Sequence, residues 1–227
     1  WCSVLWLAGT YSHAVPCVFR SAARIPSTSP LRAPVRSCTR TTAANGLVTT
    51  QVYDKAGRLV SQSQSGTVLG TTSYQYDAAG RLRLTTDPTG LKTHLIYDEA
   101  GRRVGEVDAT GALTEYVYNK NHQVTKTLRY ANPPNATQLA SLVDASGNPL
   151  NVTLASVRPV ANATADRITY YLYDSANRLV LQIDPTDTSA TQGYVTKNLY
   201  DGAHRLIETV RYKNPASTSA ITIDTLA

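Results

Sequence analysis

One short phrase recurs six times along this chain of 227 residues and constrains its fold more than any other feature. Each copy begins with a tyrosine, continues with aspartate or asparagine, and reaches glycine, asparagine or histidine three residues later. The six tyrosines are Tyr53, Tyr76, Tyr97, Tyr118, Tyr173 and Tyr200, and a threonine lies four residues before each of them. The first four copies are spaced by 23, 21 and 21 residues. Such self-similarity is typical of an array built from one supersecondary unit.

The residues after each tyrosine have the composition of a three-residue β-hairpin loop, in which a type I turn is closed by a left-handed residue. An aspartate at the start of such a turn accepts a hydrogen bond from a backbone amide two residues further on. The closing position needs a positive φ, which glycine adopts freely and which asparagine and histidine tolerate better than most residues. The six closing residues are Gly57, Gly80, Gly101, His122, Asn177 and His204. We therefore expect a left-handed backbone at all six.

The predicted hairpin also determines which side chains pair. The tyrosine should lie opposite the leucine one step beyond the turn, and the aspartate and arginine should flank the turn on the other face. The predicted Tyr–Leu pairs are Tyr53–Leu59, Tyr76–Leu82 and Tyr173–Leu179. A second turn motif is predicted at residues 87–90, 108–111 and 184–187. Two strands and two turns leave no room for a helix in a repeat, so the chain is predicted to be antiparallel β from about residue 47 onward.

The phrase Thr-x-x-x-Tyr-Asp-x-x-Gly-Arg resembles the YD repeats of the Rhs family, which also occur in the C components of insecticidal Tc toxins and, more distantly, in teneurins. The resemblance covers roughly residues 46–212. Members of that family wind many hairpins into a hollow β shell around a C-terminal toxic polypeptide. The resemblance implies an all-β array of antiparallel hairpins that forms part of a wound, shell-like sheet. It implies as partners the remainder of a longer YD-repeat polypeptide and its enclosed C-terminal toxin, in a secreted or surface-delivered bacterial protein.

Four segments follow from the spacing of the copies. Residues 46–130 and 167–227 carry the repeats, and the second of these breaks off within a unit. Residues 131–166 separate two copies and are rich in proline and asparagine, so we interpret them as a loop-rich insertion. Residues 1–45 lack the repeat and are interpreted as a disordered or non-native leader, with a targeting signal as a further alternative.

Charge and cysteine content exclude several classes of function. The net charge of +6 arises mainly from five arginines in residues 1–50, which contain no Asp, Glu or Lys. The nearly neutral array gives no sign of nucleic-acid binding, and the apolar stretch near the N-terminus is too short and polar to span a bilayer. The three cysteines lie at positions 2, 17 and 38, and they support neither a zinc site nor a complete disulfide framework. We predict no catalytic, cofactor-binding or metal-binding residues, no cofactor and no enzyme activity.

Two other interpretations of the repeated side chains stay open. The Asp/Arg pairs and the many tyrosines could bind carbohydrate at a cell surface, which is the alternative function. Cross-strand pairing and strand packing explain the same residues more simply. In the fourth copy Asn119, His122 and Gln123 replace Asp, Gly and Arg, and a reaction that needs the charged pair would not tolerate this loss.

Overall fold

β-Hairpins make up most of the folded chain, as the repeated phrase predicts. The computed structural model describes residues 11–13, 37–43, 46–65, 70–186 and 189–218. These residues form two units, which divide between Lys92 and Thr93. All of the described strand pairings within each unit are antiparallel. The prediction of an all-β array of antiparallel hairpins is confirmed.

In the first unit, each strand pairs with the next strand along the chain. The strands are β1 (Tyr11–His13), β2 (Ser37–Thr42), β3 (Val48–Tyr53), β4 (Leu59–Ser65), β5 (Thr71–Tyr76) and β6 (Leu82–Thr86). The recurring phrase forms the turn between β3 and β4 and the turn between β5 and β6.

Strand β2 lies within the predicted leader, yet it pairs with β3 along its whole length. The described residues on either side of the β2–β3 connection match those of the later turns, because the Ala43 amide donates to Leu47 O at 2.8 Å and Gly46 has a φ of 80°. Cys38 in β2 is buried and disulfide-bonded. The array therefore extends upstream of residue 46, and most of the predicted leader lies outside the described residues.

The second unit contains four more copies of the phrase. Its strands are β7 (Lys92–Tyr97), β8 (Arg103–Val107), β9 (Leu113–Tyr118), β10 (Val124–Arg129), β11 (Arg167–Tyr173), β12 (Leu179–Thr186), β13 (Ser189–Tyr200), β14 (Leu206–Arg211) and β15 (Ala216–Ser217). From β7 to β14 each strand pairs with the next, and β15 pairs with β13 beside β14.

Every YD hairpin contains a β-bulge at the same place, a feature that the turn composition does not predict. In the first copy the register steps from Val52↔Ser61 to Tyr53↔Leu59, so Val60 is the extra residue. The other registers step in the same way two residues after the arginine position, at Arg83, Val104, Thr125, Val180 and Ile207. A bulge bends its strand and increases the local twist, so each repeat adds a bend at an equivalent position.

The turn predicted to begin at Asp184 is wrong, because β12 continues as far as Thr186; residue 187 lies outside the described residues. Asp184 pairs with Tyr194 and Pro185 with Gly193, and the register shifts between Pro185 and Thr186. A proline is tolerated in a strand at such an irregularity, where its missing amide donor is not needed. Gly193 permits the close approach, since a Cβ there would stand 2.7 Å from the Asp184 carbonyl oxygen.

The insertion predicted at residues 131–166 folds as a compact cover on the second unit. It contains two short helices, α1 (Ala136–Ala140) and α2 (Leu154–Val157), which the interpretation of this segment as a loop-rich insertion did not predict. Asn135 caps α1 with a capping box, in which its side chain accepts from the Gln138 amide. The cover lies between β10 and β11, which nevertheless pair directly.

Two clusters of buried apolar residues lie in the second unit. The larger one joins Ile96, Val107 and Leu113 of the sheet to Leu142 and Val157 of the cover. The smaller one consists of Leu181, Ile183 and Val195. Gly105 in β8 makes room for the cover, because a Cβ at this position would stand 2.8 Å from Leu154 Cδ1.

Candidate functional site

The aspartate of each YD turn binds both ends of the loop. Asp54 Oδ1 accepts hydrogen bonds from the backbone amides of Ala56 and Arg58, at 2.8 and 2.9 Å. Its other oxygen, Oδ2, accepts from Arg58 Nε at 2.7 Å. One carboxylate therefore closes the loop through the backbone and orients the arginine side chain at the same time.

The same ion pair recurs at Asp77–Arg81, Asp98–Arg102, Asp174–Arg178 and Asp201–Arg205, with N–O distances of 2.7 to 2.8 Å. The fourth copy keeps the geometry without charge, because Asn119 Nδ2 donates to Gln123 Oε1 at 2.9 Å. Asn119 Oδ1 also accepts from the amides of Asn121 and Gln123. The pairs thus behave as turn-closing contacts.

These contacts set the pKa of the turn carboxylates. Burial raises the pKa of Asp54, but hydrogen bonds from the backbone and guanidinium of Arg58 outweigh it, and the pKa lies below its ordinary value. Burial also raises the pKa of Asp77, but hydrogen bonds from Arg81 and Arg83 outweigh this effect, and the pKa lies below its ordinary value. Arg83, the bulge residue, is 2% exposed and donates through Nε to Asp77 Oδ2 at 2.9 Å.

The closing residue of each turn has the predicted backbone. The φ angles are 77° at Gly57, 82° at Gly80, 78° at Gly101, 60° at His122, 62° at Asn177 and 63° at His204. His204 has a second contact, since its Nδ1 lies 3.1 Å from Arg178 Nη1 of the preceding copy. The turn geometry therefore accounts for a histidine at these two positions. The predicted Tyr–Leu pairs are also confirmed.

Within each unit, consecutive copies are joined by a contact that we call the inter-repeat ladder: the tyrosine of one copy docks on the arginine and the following backbone carbonyl of the copy before it. Tyr76 donates its hydroxyl to Leu59 O at 2.7 Å, and Arg58 Cζ lies 4.8 Å from the centre of the Tyr76 ring. Two further rungs join Tyr118 to Arg103 O and Arg102, and Tyr200 to Leu179 O and Arg178. A cation over an aromatic face stabilises such a contact by roughly 0.5–1 kcal/mol at exposed sites.

The rung between the fourth and fifth copies is neutral. Tyr173 donates to Val124 O at 3.0 Å, as in the other rungs. Gln123 replaces the arginine, and its Nε2 donates to Asn177 O at 2.9 Å. Sequence reasoning missed the ladder because its partners belong to different copies. The joint recurrence of Tyr and Arg in five of the six copies was the signal that could have pointed to it.

A cluster of polar side chains outside the repeated turns connects the cover to the sheet. Glu115 in β9 accepts from Tyr130 Oη at 2.7 Å and binds Arg158 of the cover through two hydrogen bonds of 2.9 Å. Burial and the bond to Glu115 raise the pKa of the Tyr130 phenol far above its ordinary value. At the base of the cover, buried Asp166 accepts from the amides of Ala131 and Asn162, both at 2.8 Å. These groups did not stand out in the sequence, because they lie outside the repeated phrase.

The turn and ladder side chains described above make structural contacts, namely hydrogen bonds, ion pairs and ring packing. The turn carboxylates accept two or three hydrogen bonds each, and three ladder tyrosines carry an arginine over one ring face. In the part of the chain that the structure describes, no group of three His, Cys, Asp or Glu side chains is arranged to hold a metal ion. Among the same residues, no helix combines the length and apolar character needed to cross a membrane.

A comparison with protein families matches the part of the chain that carries the first three copies of the repeated phrase. The RHS Repeat family matches residues 53–92 and 76–113. Among solved structures, the chain is similar to a Photorhabdus luminescens Tc holotoxin pore with a mutation in TccC3, at 16% identity and a TM-score of 0.48, over 79% of this chain and 8% of that one. It is also similar to TcdB2-TccC3 with Cdc42 and to TcdB2-TccC3, both at 16% identity, with TM-scores of 0.21 and 0.23.

Those two matches cover 77% and 79% of this chain and 13% of the solved chains. This chain thus spans about a tenth of the length of the solved chains that it matches. No curated protein matched it.

Proposed function

We propose that this chain, which is an RHS-repeat protein, forms a structural segment of a β shell that encloses or displays a toxic polypeptide. The observation that carries the proposal is the inter-repeat ladder. Within each unit, the tyrosine of one copy binds a backbone carbonyl of the copy before it, and in three of the four described rungs an arginine lies over its ring, so hairpins can be added one after another with the same contact. Each repeat in such an array buries surface against the repeats next to it, so the array can be extended by further repeats. The resulting continuous sheet would form the wall of the shell.

The positions of the six β-bulges are a second observation in favour of the proposal, because they would make the wall of the shell curved. Each lies two residues after the arginine position of its copy, on the second strand of the hairpin. Bulges at a fixed place in successive hairpins are a means by which sheets acquire curvature and closure. A wall that closes also covers the edge strands, which otherwise expose unpaired backbone groups and promote aggregation.

In this proposal the role of the chain is structural and not catalytic. Its partners are the remainder of a longer YD-repeat polypeptide and a C-terminal toxin within the shell. The whole protein would be secreted or displayed at a cell surface. Arginines over the ladder tyrosines favour packing as the role of these rings, because one face of each ring is already in contact. Glycan binding stays the alternative, and a ligand found for the folded chain on a glycan array would support it.

The test of the shell is protection of the enclosed segment in the complete polypeptide that contains this chain. Limited proteolysis of the folded polypeptide should leave the C-terminal segment intact long after exposed linkers are cut, and denaturation should abolish the protection. Gly80→Val, which strains a turn of the wall, should accelerate cleavage, whereas Ala79→Val in the same loop should not. Equal cleavage rates of the C-terminal segment before and after denaturation would contradict the proposal.

A further inference from the structure

The closing residue of a YD turn also contacts the rung that joins its copy to the copy before it. His204 Nδ1 lies 3.1 Å from Arg178 Nη1, and His122 Nδ1 lies 3.5 Å from Arg102 Nη1. Each of these arginines also lies over the tyrosine ring of its rung. We propose that the two histidines make these rungs sensitive to acid, so that each rung loosens when its imidazole takes up a proton.

The contact between imidazole and guanidinium requires a neutral imidazole. A guanidinium carries only donors, so a ring nitrogen that bonds to it must accept. Nδ1 accepts when the single proton of the ring is on Nε2, whereas an imidazolium carries a proton on both nitrogens. The contact is therefore present above the pH at which the ring gains its second proton, and it is lost as the pH falls through that value. Histidine is the side chain whose charge ordinarily changes between about pH 5 and 8.

The charged groups around His204 balance one another. On the preceding turn, Asp174 Oδ2 accepts from Arg178 Nε at 2.8 Å. In the turn of His204 itself, Asp201 Oδ2 accepts from Arg205 Nε at 2.7 Å. Because each carboxylate is already paired with an arginine, a proton on His204 adds a further positive charge beside Arg178. Like charges at this distance repel each other and separate the ring from the guanidinium.

The surroundings of His122 oppose a positive charge as well. The polar pair of its own turn is neutral, and the charged residue of this loop is Lys120. On the preceding turn, Asp98 Oδ2 already accepts from Arg102 Nε at 2.7 Å. On the other side, the turn of the fifth copy contributes the neutral Asn177. A proton on His122 therefore also meets a cation that has its counter-ion.

Two other rungs contain glycine or asparagine in place of histidine and are controls within the same chain. Arg58 Nη1 lies 3.5 Å from Asp77 O and passes over Gly80, where a Cβ would stand 3.3 Å from it. In the rung between the fourth and fifth copies, Gln123 Nε2 donates to Asn177 O. Both contacts use a backbone carbonyl, which does not change charge with pH. Acid should therefore act on two of the four described rungs and not on the others.

The inference concerns the strength of the rungs and is independent of what the wall encloses. Protonation of histidines at contacts between packed elements is a known means of switching them between about pH 5 and 6. The rungs can respond to acid even if the complete polypeptide protects no toxin. Protection at neutral pH can likewise be found even if the rungs do not respond. The two proposals therefore fail separately.

The experiment measures amide hydrogen exchange of the full chain at about pH 7.5 and about pH 5.5, corrected for the intrinsic effect of pH on exchange. Protection of the His122 and His204 amides, which donate within their turns, should fall about two- to fivefold at the lower pH, because one side-chain hydrogen bond is lost. The Gly80 and Asn177 amides should keep their protection. Both pH values lie above the range near about pH 4 in which the turn carboxylates take up protons.

The matched variant is His204→Asn, because asparagine closes the fifth turn with a φ of 62°. It should abolish the response of its own turn and leave that of His122 intact. Arg178→Gln should do the same, since a glutamine amide can donate to a neutral ring or accept from a protonated one. Arg58→Gln is the control and should leave both responses unchanged.

Three results would overturn the proposal. The first is equal protection of the histidine turns at the two pH values in the unaltered chain. The second is an equal loss of protection at the turns that lack histidine. The third is a response of the last turn that persists in both His204→Asn and Arg178→Gln, because the acid-sensitive group would then lie elsewhere.

Discussion

The strands β3 and β4 and the strands β7 to β9 are built on the same phrase, yet different interactions hold them together. Gln51 of β3 binds Thr39, Tyr53 and Gln62 through side-chain hydrogen bonds of 3.1 to 3.3 Å. In β7 to β9, Ile96, Val107 and Leu113 are at most 2% exposed beneath the cover. Within the residues that the structure describes, both buried apolar clusters lie in the second unit.

The difference shows that the phrase specifies the hairpin and the ladder but not the source of stability. A hydrogen bond between side chains contributes about 0.5–1.5 kcal/mol net, whereas full burial of one large aliphatic side chain contributes about 1.5–3 kcal/mol. The covered strands should therefore be the most stable part of the array, and the polar strands should depend more on their neighbours.

The largest effect is expected from Leu142→Ala, because Leu142 is 3% exposed between the cover and the sheet. Truncation of a buried leucine costs about 2–5 kcal/mol. Hydrogen exchange should accelerate in β7 to β10 and stay unchanged in β3 and β4. Leu150→Ala, at a leucine of the cover that is 44% exposed, is the control and should change the free energy of unfolding little. Equal effects of the two substitutions would mean that the cover does not stabilise the sheet.

The second-largest effect tests whether a left-handed glycine matters equally in the turn between β3 and β4 and in the turn between β7 and β8. Gly57 has a φ of 77° and a Cβ there would meet nothing within 4 Å, so Gly57→Val isolates backbone strain. The expected cost is about 1–3 kcal/mol, measured by hydrogen exchange or proteolysis of the hairpin. Gly101→Val, with a φ of 78° beside the covered strands, should cost a similar amount. Ala56→Val is the control in the right-handed part of the loop, and a cost equal to that of Gly57→Val would rule out strain.

A smaller effect is expected from the ladder itself. Tyr76→Phe removes the 2.7 Å hydrogen bond to Leu59 O and keeps the ring beneath Arg58, so it should cost about 0.5–1.5 kcal/mol. A double-mutant cycle of Tyr76→Leu, which removes the aromatic ring, with Arg58→Gln should give a coupling energy of about 0.5–1 kcal/mol between the two residues. Additive effects in chemical denaturation would show that the ring and the guanidinium do not interact.

The pH dependence should distinguish the charged turns from the neutral one. The pKa of Asp54 and Asp77 is lowered in the folded state, so their contribution to stability is present above the unfolded pKa of about 3.9 and is lost as the pH falls through the folded pKa. The hairpin of Asn119 and Gln123 lacks this carboxylate. Below about pH 4, exchange should accelerate at the Gly57 and Gly80 amides relative to the His122 amide. An equal response of all three would contradict the assignment.

The smallest expected effect is a gain in stability of the last hairpin. His204 holds a φ of 63°, which glycine adopts at lower cost, so His204→Gly should stabilise the last hairpin by a few tenths of a kcal/mol. The gain is limited by the greater freedom of glycine in the unfolded chain and by loss of the contact with Arg178. Thermal or chemical denaturation that showed no gain, with the Arg178 contact removed by Arg178→Gln in both proteins, would contradict a strained histidine.

The sequence predicted those features that are determined within one hairpin. The φ at Gly57 and His204 and the pairing of Tyr53 with Leu59 follow from residues at most six apart, where turn chemistry decides the structure. The Tyr76–Arg58 contact was missed because it spans 18 residues and joins two copies. The sequence of one repeat does not show which residue of a neighbouring repeat its tyrosine contacts.

The remaining errors arose where tertiary context overrode local signals. The sequence Asp184-Pro185 is a good turn signal, but Gly193 opposite it lets the strand continue. The helices at Ala136–Ala140 and Leu154–Val157 are too short to show a clear period of 3.6, and they are stabilised by packing on Ile96 and Leu113. A short segment of this kind is specified by the surface on which it packs.

The direct pairing of Arg129 with Arg167 shows how the chain can carry an insertion without a change of register. The entropy of loop closure grows only with the logarithm of loop length, so lengthening a connection from about four to about 36 residues costs only about 2 kcal/mol. The contacts of Glu115 with Arg158 and of Ala131 with Asp166 offset a cost of that size. A connection between two repeats can therefore carry a whole folded element while the strands on either side keep their direct pairing.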